Sequence, residues 1–395
     1  MIEISSNEIT VIQMVSSITK DSYGLGYAAL NLAAAIRRSG VNVYLASIDK
    51  ELDAYEACEE AGFPRERYIR GLPIGHSRLR LSPFLLGRLL KISCVGRPLI
   101  HMHGMWTYAS YIAGTLRDRW RCPFVLSPHG SLEPYALKMS MKKKTIAQLL
   151  YERRNVMQAS CLCALSEQEK SSIRAYGFTG RIEIMLNGVN QSTTCSVEDV
   201  VMFRNRHSIG SGTRIILFLS RIARKKNLPL LLRVFSKISK LYPGWILVIA
   251  GDDEGGHLKE IQSLIQMLNI QNMVRLTGPL SGKEKACAYT SASLFVLPSL
   301  SEGLPISVLE AMEYGKPVLV TDGWTLPVAA SKSFEWRVPV NEGLFEVALA
   351  EAMGSSEDKL VDMGRTARSL IRDNFSWETI AERAYSLYLS ILNGR

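Results

Sequence analysis

The feature that most constrains the fold of this chain is an alternation of short β-rich runs with longer stretches of helical periodicity. Such alternation is typical of parallel sheets, because each crossover between parallel strands needs a connection about as long as a helix. The predicted strands of the first half are Val11–Val15, Val41–Ala46, Leu99–Met102, Phe124–Ser127 and Cys161–Leu165. Those of the second half are Arg214–Ser220, Trp245–Ala250, Val274–Thr277, Leu294–Leu297 and Val318–Thr321. The pattern predicts an α/β protein.

Two domains are expected from the length of 395 residues, since single domains usually have about 100–200 residues. Over residues 191–211 the sequence becomes polar, and we interpret this stretch as a linker. The prediction is therefore a Rossmann-like domain at 1–190 and a second at 212–375, facing one another. In such sheets ligands bind beyond the carboxyl ends of the strands.

Targeting and cysteine patterns favour a protein of the reducing cytosol. The N-terminal residues lack the basic start and apolar block of a signal peptide, and no apolar run approaches the roughly 20 residues that span a bilayer. Seven cysteines lie at scattered positions, and the spacing of Cys161 and Cys163 does not suit a metal or redox pair. We expect free thiols and no bound metal.

The net charge of +10 is unevenly distributed along the chain. Residues 1–190 carry 24 Lys and Arg against 16 Asp and Glu, whereas the remaining residues carry 23 against 21. This excess indicates either a plain basic surface or an anionic partner of the first domain, such as a membrane surface or a phosphorylated lipid. Neither zinc-finger spacing nor an aromatic ribonucleoprotein motif is present, which argues against nucleic acid.

A candidate anion site follows the strand that ends at Pro298, where a short loop leads into a helix. Backbone N–H groups at a helix start point outward and attract anions. The residues at this start are Gly303, Leu304, Pro305 and Ile306. Glu302 precedes them and Glu310 lies in the helix, so two carboxylates could accept hydrogen bonds from the two sets of hydroxyls of a nucleotide sugar. The alternative is structural, with Glu302 facing the helix dipole and Glu310 solvated.

Four cations follow another predicted strand of the second domain. They are Arg221, Arg224, Lys225 and Lys226, and a helix opens directly after them. Helix starts usually favour acidic residues, so this cluster is unusual as a surface charge run. Cations at the carboxyl end of a strand suit a diphosphate whose negative charge grows as it leaves.

Together these motifs resemble the C-terminal half of glycosyltransferase family 4. The matching segments are Ser220-Arg-Ile-x-x-x-Lys226-Asn, Gly251-Asp252, Thr277-Gly278, Pro298-Ser299 and Glu302-Gly-x7-Glu310. The resemblance implies the GT-B architecture and metal-independent transfer with retention of configuration. By that resemblance, Arg221 and Lys226 hold the diphosphate, Glu310 the ribose and Glu302 the donor sugar, with backbone near Thr277 at the base. Residues 376–395 look like the family's terminal helix, which returns to the first domain.

The glycines of the first half allow three interpretations. Gly24 and Gly26 resemble either the family's glycine loop, which approaches the donor phosphates, or the dinucleotide fingerprint, with Asp49 as the ribose-binding acid. The second interpretation would make the protein an NAD-dependent oxidoreductase. Against it, residues 16–23 separate the strand from the first glycine, whereas the fingerprint turns directly out of its strand. A purely structural turn is the third possibility.

Two predicted strands of the first half end in His-Gly pairs, which we predict to be acceptor-side residues. These are His103-Gly104 and His129-Gly130. His129 fits the family's histidine at the cleft, which contacts the donor sugar or the acceptor. His101 and His103 share one face of a strand, so a metal pair is conceivable, but no third ligand has supporting spacing.

The segment around His129 also resembles enzymes that build bacterial surface polysaccharides such as O-antigen and lipopolysaccharide. By analogy, the donor is GDP-mannose or a UDP-hexose and the acceptor is a saccharide, linked to undecaprenyl diphosphate. A predicted helix from Lys138 to Arg154 mixes cations with apolar side chains and could lie on an anionic membrane. The expected location is therefore cytoplasmic, peripheral at the inner face of the plasma membrane.

Overall fold

The computed structural model describes residues 9–19, 23–74, 80–138, 141–302, 304–323 and 334–394. The chain divides into two compact units. The first comprises residues 1–188 together with 377–395, and the second comprises residues 189–376. The predicted linker, 191–211, lies within the second unit and contains a helix. Each unit is built around its own parallel sheet.

The described residues of the first unit form a sheet of seven strands, all paired in parallel. They are β1 (Ile9–Val15), β2 (Asn42–Ile48), β3 (Tyr68–Gly71), β4 (Arg97–His103), β5 (Phe124–Ser127), β6 (Cys161–Ala164) and β7 (Ile182–Ile184). Their order across the sheet is β3-β2-β1-β4-β5-β6-β7. The central strand β1 is buried along its whole length, because helices cover both faces of such a sheet.

Between residues 23 and 175 the described part of the first unit contains eight α-helices. They are α1 (Tyr23–Arg38), α2 (Glu51–Glu60), α3 (Pro83–Leu89), α4 (Tyr108–Trp120), α5 (Pro134–Lys138), α6 (Met141–Ala147), α7 (Arg153–Met157) and α8 (Glu167–Ala175). A π-helical turn, Gln148–Glu152, joins α6 directly to α7. The apolar side of α4 packs on the sheet through Ile112, Ala113 and Leu116.

The second unit has a six-stranded parallel sheet. Its strands are β8 (Arg214–Leu219), β9 (Trp245–Ala250), β10 (Val274–Gly278), β11 (Leu294–Leu297), β12 (Val318–Thr321) and β13 (Glu335–Val338), in the order β10-β9-β8-β11-β12-β13. Its helices are α9 (Val197–Arg206), α10 (Leu228–Ile238), α11 (His257–Met267), α12 (Gly282–Ser291), α13 (Ile306–Glu313), α14 (Glu342–Gly354) and α15 (Glu357–Phe375). Strand order reverses between β8 and β11, which is where doubly wound sheets bind ligands.

The last helix, α16 (Trp377–Leu392), packs against α1 of the first unit. The rings of Tyr27 and Trp377 lie 6.0 Å apart between centroids. Arg97 Nη1 donates to the carbonyl of Leu392 at 2.6 Å. The predictions of two Rossmann-like parallel sheets and of a terminal helix that returns to the first one are confirmed.

Three strands are absent from the sequence-based prediction, namely β3, β7 and β13. All three lie at a sheet edge, where one side of the strand has no neighbour. Edge strands are short and carry charged residues such as Arg70 and Glu335, so their apolar runs are too weak to be recognised. A further difference concerns Gly24 and Gly26, which lie in the first turn of α1.

Candidate active site

Three of the proposed donor residues of the second unit follow the carboxyl ends of β8 and β11, which are adjacent in the sheet. Arg221 follows β8, and Lys226 ends a turn of 3-10 helix at Arg224–Lys226. Glu302 stands in the loop between β11 and α13. Because parallel strands end at the same edge, residues 76 positions apart meet there.

Lys226 and Glu302 form an almost buried ion pair. Lys226 Nζ lies 2.5 Å from Glu302 Oε1, and the two side chains are 11% and 10% exposed. Backbone hydrogen bonds hold the loop in place: Leu300 N donates to the carbonyl of Lys225, and Glu302 N to that of Gly323. The carboxylate and the ammonium are therefore fixed relative to the strand ends before any ligand binds.

Arg221 is an exposed cation of this edge. Its guanidinium lies 2.8 Å from Glu254 Oε2, and its side chain is 42% exposed. The backbones after β8 and β9 approach so closely that a Cβ on Gly251 would collide with the carbonyl of Ser220. Ile222 N donates to the carbonyl of Asp252 at 2.7 Å, which locks the two strand ends together. Arg221 thus projects from a rigid backbone and meets solvent.

Glu310 is held in place by two side chains of α12. Lys285 Nζ lies 2.6 Å from its Oε1, and the hydroxyl of Tyr289 donates to its Oε2 at 2.9 Å. Tyr289 is fully buried and stacks on the ring of Tyr314 at 5.1 Å. The Glu310 side chain keeps 13% of its surface exposed. It is therefore a fixed carboxylate with access to solvent, and the solvated-face interpretation of Glu310 is wrong.

The start of α13 completes this edge. The helix begins at Ile306, with Pro305 as its N-cap residue, and Leu304 is buried. Gly303 lies outside the described residues. Thr277, at the end of β10, donates its hydroxyl to the carbonyl of Gly278 at 3.0 Å. The structure therefore brings Lys226 and Glu302 into contact, whereas Thr277 stands two strands away from β8.

The acceptor-side histidines of the first unit lie at the ends of β4 and β5. His103 Nδ1 lies 3.2 Å from His129 Nε2, and His103 Nε2 lies 2.6 Å from Gln13 Oε1. His101 bonds Tyr388 through Nδ1 at 2.6 Å and Ser127 through Nε2 at 2.8 Å. Every ring nitrogen of His101 and His103 is therefore occupied by a protein group, which leaves no lone pair for a metal.

The three histidines are neutral at neutral pH. Burial lowers the pKa of His101 to about 3 and that of His129 to about 4. The pKa of His103 is likewise well below its usual value, first because of burial and then because two imidazoles lie beside it. Desolvation disfavours the charged form of each ring. The site in this unit consequently presents hydrogen-bonding groups and no histidine charge.

His129 and Gly130 have the left-handed backbone conformation, with φ of 52° and 76°. Such a backbone is rare for a histidine and is costly unless its surroundings impose it. Here Glu169 supplies the constraint, since its Oε1 accepts from Gly130 N at 2.6 Å and its Oε2 from Leu165 N at 2.8 Å. Gly104 has φ of 80°, and a Cβ there would press on Leu25 of α1.

The glycine loop predicted at Gly24 and Gly26 is wrong in its local structure, because both residues are helical. The oxidoreductase interpretation also finds no support. Asp49 is fully buried, and its carboxylate accepts from Ile18 N at 2.9 Å, from the Ser47 hydroxyl at 2.5 Å and from Arg80 at 3.0 Å. With its oxygens engaged inside the protein, Asp49 cannot bind the ribose of a dinucleotide.

Several residues of the two sites carry no signal that sequence reasoning recognised. They are Gln13, Glu254, Lys285, Tyr289 and Tyr388. Each lies on an element far from its partner in sequence, so no local spacing connects them. Glu169 is different, since it stands in the Leu165-Ser166-Glu-x-Glu169 segment after a strand, and Ser166 caps the helix that carries it. That segment could have revealed the Gly130 contact.

Within the part of the chain that the structure describes, no three His, Cys, Asp or Glu side chains are grouped so that they could hold a metal ion. Among the same residues, no helix is both long and apolar enough to cross a bilayer.

Comparison with known protein families gives two matches that together cover most of the chain. Residues 202–369 match the family described as "Glycosyl transferases group 1". Residues 23–188 match the "Glycosyl transferase 4-like domain". The first match contains the Arg221, Lys226, Glu302 and Glu310 positions, and the second contains His103 and His129.

Two curated relatives are similar over more than two thirds of their lengths. A D-inositol 3-phosphate glycosyltransferase of Corynebacterium jeikeium is 27% identical over 74% of this chain and 72% of its own. A GDP-mannose:cellobiosyl-diphosphopolyprenol alpha-mannosyltransferase of Xanthomonas oryzae is 25% identical over 81% of each.

Among solved structures, the chain is similar to Anabaena Alr3699/HepE in complex with UDP and glucose. The TM-score is 0.75 at 17% sequence identity, and the match covers 96% of this chain and 99% of that one. At this identity the likeness concerns the fold, which is two Rossmann-like domains in both proteins.

Proposed function

Because the chain belongs to the group 1 glycosyltransferases and has the GT-B fold, we propose that it transfers a hexose from a nucleotide sugar to a saccharide acceptor with retention of configuration. The donors we favour are GDP-mannose and a UDP-hexose, which the names of similar proteins support. The nucleotide sugar is a substrate, and the proposed reaction uses no metal or other cofactor.

The observation that carries this proposal is the pair formed by Lys226 and Glu302 at the carboxyl ends of two adjacent strands. An ammonium group beside Arg221 can stabilise the negative charge that develops on a leaving diphosphate. Glu302 can accept hydrogen bonds from hydroxyls of the transferred sugar at the same point. The geometry therefore suits a ligand that has a diphosphate and a hexose next to each other.

Glu310 is assigned to the ribose of the nucleotide. Its carboxylate is held by Lys285 and Tyr289, so both oxygens point in fixed directions and can accept from vicinal hydroxyls. The backbone N–H groups at the start of α13 lie between Glu302 and Glu310 in sequence, and helix starts attract phosphate oxygens. Along this edge the order is sugar, phosphates and ribose.

In the proposed reaction, the sugar is transferred with retention of configuration and without a nucleophile from the protein. Glu302 is already paired with Lys226, and Glu310 is paired with Lys285, so neither carboxylate stands free to attack the sugar. We favour a front-face route, in which the leaving phosphate helps to deprotonate the acceptor hydroxyl. Arg221 and Lys226 stabilise the charge on that phosphate.

The acceptor is assigned to the first unit, where His103, Gly104, His129 and Gly130 lie at the ends of adjacent strands. A lipid-linked saccharide, carried on a polyprenyl diphosphate, is the acceptor we favour, in the assembly of a bacterial surface polysaccharide. The printed name of the Xanthomonas relative supports this class of acceptor.

Attachment to the inner face of the plasma membrane is proposed through the helical surface at 141–157. Five large apolar side chains there are exposed, namely Met141 (64%), Ile146 (59%), Leu149 (81%), Leu150 (74%) and Met157 (38%). The exposed cations Lys142, Lys143, Arg153 and Arg154 accompany them. Apolar side chains can enter the lipid headgroup region while the cations bind anionic lipids.

Binding of UDP-, GDP-, ADP- and dTDP-sugars, followed by ligand-observed NMR, tests the donor assignment. We expect one nucleotide sugar to bind and Glu310→Gln to weaken that binding by about tenfold, since a hydrogen bond to a charged group contributes about 1.5–3 kcal/mol. Glu346→Gln is the matched control, because Glu346 is an exposed carboxylate of α14 in the same unit. Absence of binding to all four classes would refute the proposal.

Flotation with vesicles that contain anionic lipid tests membrane attachment. We expect Leu149→Ser with Leu150→Ser to reduce vesicle binding at least tenfold, because each buried leucine contributes about 1.5–3 kcal/mol. The matched control is Leu344→Ser with Val347→Ser, two exposed apolar residues of α14. Equal loss in both double variants would contradict a specific surface.

A further inference from the structure

A continuous chain of hydrogen bonds crosses the core of the first unit and ends at His129. It passes from Ser127 to His101, Tyr388, Gln13, His103 and finally His129, with donor–acceptor distances of 2.8, 2.6, 2.9, 2.6 and 3.2 Å. All of its members except His129 are buried. Buried hydrogen bonds of this kind must each have one proton, so the donors and acceptors along the chain depend on one another.

The amide of Gln13 sets the direction in which these bonds run. Its Nε2 donates to the hydroxyl of Tyr388, and its Oε1 faces His103 Nε2. An amide oxygen only accepts, so His103 must carry its proton on Nε2. Burial keeps His103 neutral, and a neutral imidazole has one N–H and one bare nitrogen. The Nδ1 of His103 is therefore bare.

The same argument continues to His129. Since His103 Nδ1 can only accept, the hydrogen bond between the two rings requires a proton on His129 Nε2. His129 is also neutral because burial lowers its pKa. Its Nδ1 is consequently bare, and it has no hydrogen-bond partner within the described residues. His129 is the one partly exposed member of the chain, so this nitrogen is the group left to meet a ligand.

Tyr388 of α16 accepts from the Gln13 amide and couples the orientation of that amide to His101. Its hydroxyl accepts the amide proton and has one proton of its own, which it donates to His101 Nδ1. His101 then donates from Nε2 to the hydroxyl of Ser127. If the amide turned over, the hydrogen bonds of Tyr388 and His101 would have to reverse their directions with it. The bonds on the His101 side of Gln13 and those on its His103 side therefore depend on each other.

We propose that Gln13 and Tyr388 are positioning residues that hold His129 as the Nε2–H tautomer, with Nδ1 as the acceptor for a substrate hydroxyl. The proposal rests on the proposed function, in which His129 contacts the sugar or the acceptor. A bare Nδ1 accepts from a hydroxyl of the sugar or acceptor other than the attacking one, whose proton goes to the leaving phosphate, and so orients the substrate, whereas the opposite tautomer would donate to that hydroxyl instead. The terminal helix thereby takes part in the chemistry of the first unit without touching the substrate.

Nitrogen NMR of the protein labelled with 15N-histidine tests the tautomer directly and needs no substrate. We expect His129 to show a protonated Nε2 and a bare Nδ1, with its resonances assigned from the spectrum of His129→Gln. Tyr388→Phe removes the hydroxyl that accepts from the Gln13 amide, and Gln13→Met removes the amide itself. Both should therefore move the 15N chemical shifts of the two His129 nitrogens toward the average of the two tautomers. Tyr385→Phe, a partly exposed tyrosine of the same helix, should leave them unchanged.

Transferase kinetics test whether the tautomer of His129 matters for sugar transfer. Tyr388→Phe and Gln13→Met should lower kcat about tenfold and leave the affinity for the nucleoside diphosphate product within about twofold, because that product has no transferred sugar. Tyr385→Phe should retain the wild-type kcat. A protonated Nδ1 in the wild-type protein would overturn the proposal, as would unchanged His129 resonances in both variants.

The two proposals can fail separately. If His129 has the expected tautomer but His129→Gln transfers sugar at the wild-type rate, the positioning role is wrong and the proposed function stands. If no nucleotide sugar binds, the proposed function is wrong, and the tautomer measured by NMR still reports on Gln13 and Tyr388.

Discussion

In the second unit the side chains assigned to the substrate are charged and held in ion pairs, whereas in the first unit they are neutral and held in a chain of hydrogen bonds. Lys226 meets Glu302 and Lys285 meets Glu310, each within 2.6 Å. The corresponding groups of the first unit are His103, His129 and Gln13, with no ion pair among them. Lys226 and Glu302 in one unit, like His103 and His129 in the other, lie at the carboxyl ends of parallel strands.

The difference follows the chemistry that each unit is proposed to perform. A diphosphate brings negative charge, so a cation that is already fixed at the strand end can stabilise it without reorganisation. A hydroxyl has no charge, and what matters for it is the direction in which its proton points. A neutral imidazole with a defined tautomer supplies this direction, and a salt bridge in its place would not.

The largest effect is expected from breaking the ion pair of the second unit. Lys226→Met should lower kcat/KM by about 10²–10³-fold, because it removes charge stabilisation of the leaving group. It should also lower the free energy of unfolding by about 3–5 kcal/mol, since Glu302 is left nearly buried without a partner. Steady-state kinetics and denaturant titration measure the two effects.

A second substitution separates stability from catalysis. Adding Glu302→Gln to Lys226→Met removes the unpaired charge, so most of the lost stability should return while transfer stays low. Lys237→Met is the matched control, because Lys237 is an exposed cation of the same unit, paired with Glu342 at 2.8 Å. If the double variant regained activity together with stability, Lys226 would have only a structural role.

The next largest effect concerns the buried neutral histidine His101 of the first unit and the pH dependence of the unfolding free energy that it causes. Burial lowers the pKa of His101 to about 3, while an unfolded histidine has a pKa of about 6.5. Between these values the unfolded chain binds a proton that the folded chain does not. The stability from neutral His101 is therefore complete above about pH 6.5 and is lost as the pH falls, by about 1.4 kcal/mol per pH unit.

Denaturant titrations of the wild type and of His101→Gln between pH 6 and pH 4 measure this contribution. The slope of unfolding free energy against pH should be smaller in the variant by about 1.4 kcal/mol per pH unit. Burial raises the pKa of Glu152 to about 7, and this opposes the histidine effect, but the carboxyl is present in both proteins and cancels in the comparison. Parallel slopes would show that His101 is not a buried neutral group.

The smallest effect is expected at the support of Glu310. Tyr289→Phe removes the hydroxyl that lies 2.9 Å from Glu310 Oε2 and 3.2 Å from the Ser307 carbonyl, and it leaves the pair with Lys285 intact. Binding of the nucleotide sugar should weaken about fivefold, which corresponds to about 1 kcal/mol. Isothermal titration measures it, with Tyr242→Phe as the control, because the Tyr242 hydroxyl has no hydrogen bond within the described residues. Identical affinities would mean that Lys285 alone holds the carboxylate.

The sequence by itself predicted the parts of the protein that rest on local pattern. Buried strands such as β8 and β11 consist almost entirely of apolar residues, and continuous burial leaves a strong signal in the sequence. The resemblance of the Glu302–Glu310 segment and of Lys226 to a known family pointed to the glycosyltransferases. Edge strands such as β13 were missed, because half-exposed strands with charged residues lack an apolar run.

Only the tertiary structure decided which groups meet. Gln13 and Tyr388 are separated by 375 positions, and Lys226 and Glu302 by 76, so no spacing in the sequence connects either pair. The tertiary structure also placed Gly24 in a helix and buried Asp49 among donors, which removed the dinucleotide interpretation. Local pattern fixes the elements, because helix and strand periodicities are short-range. The partners of a buried polar group depend on how those elements pack, and this is decided over the whole chain.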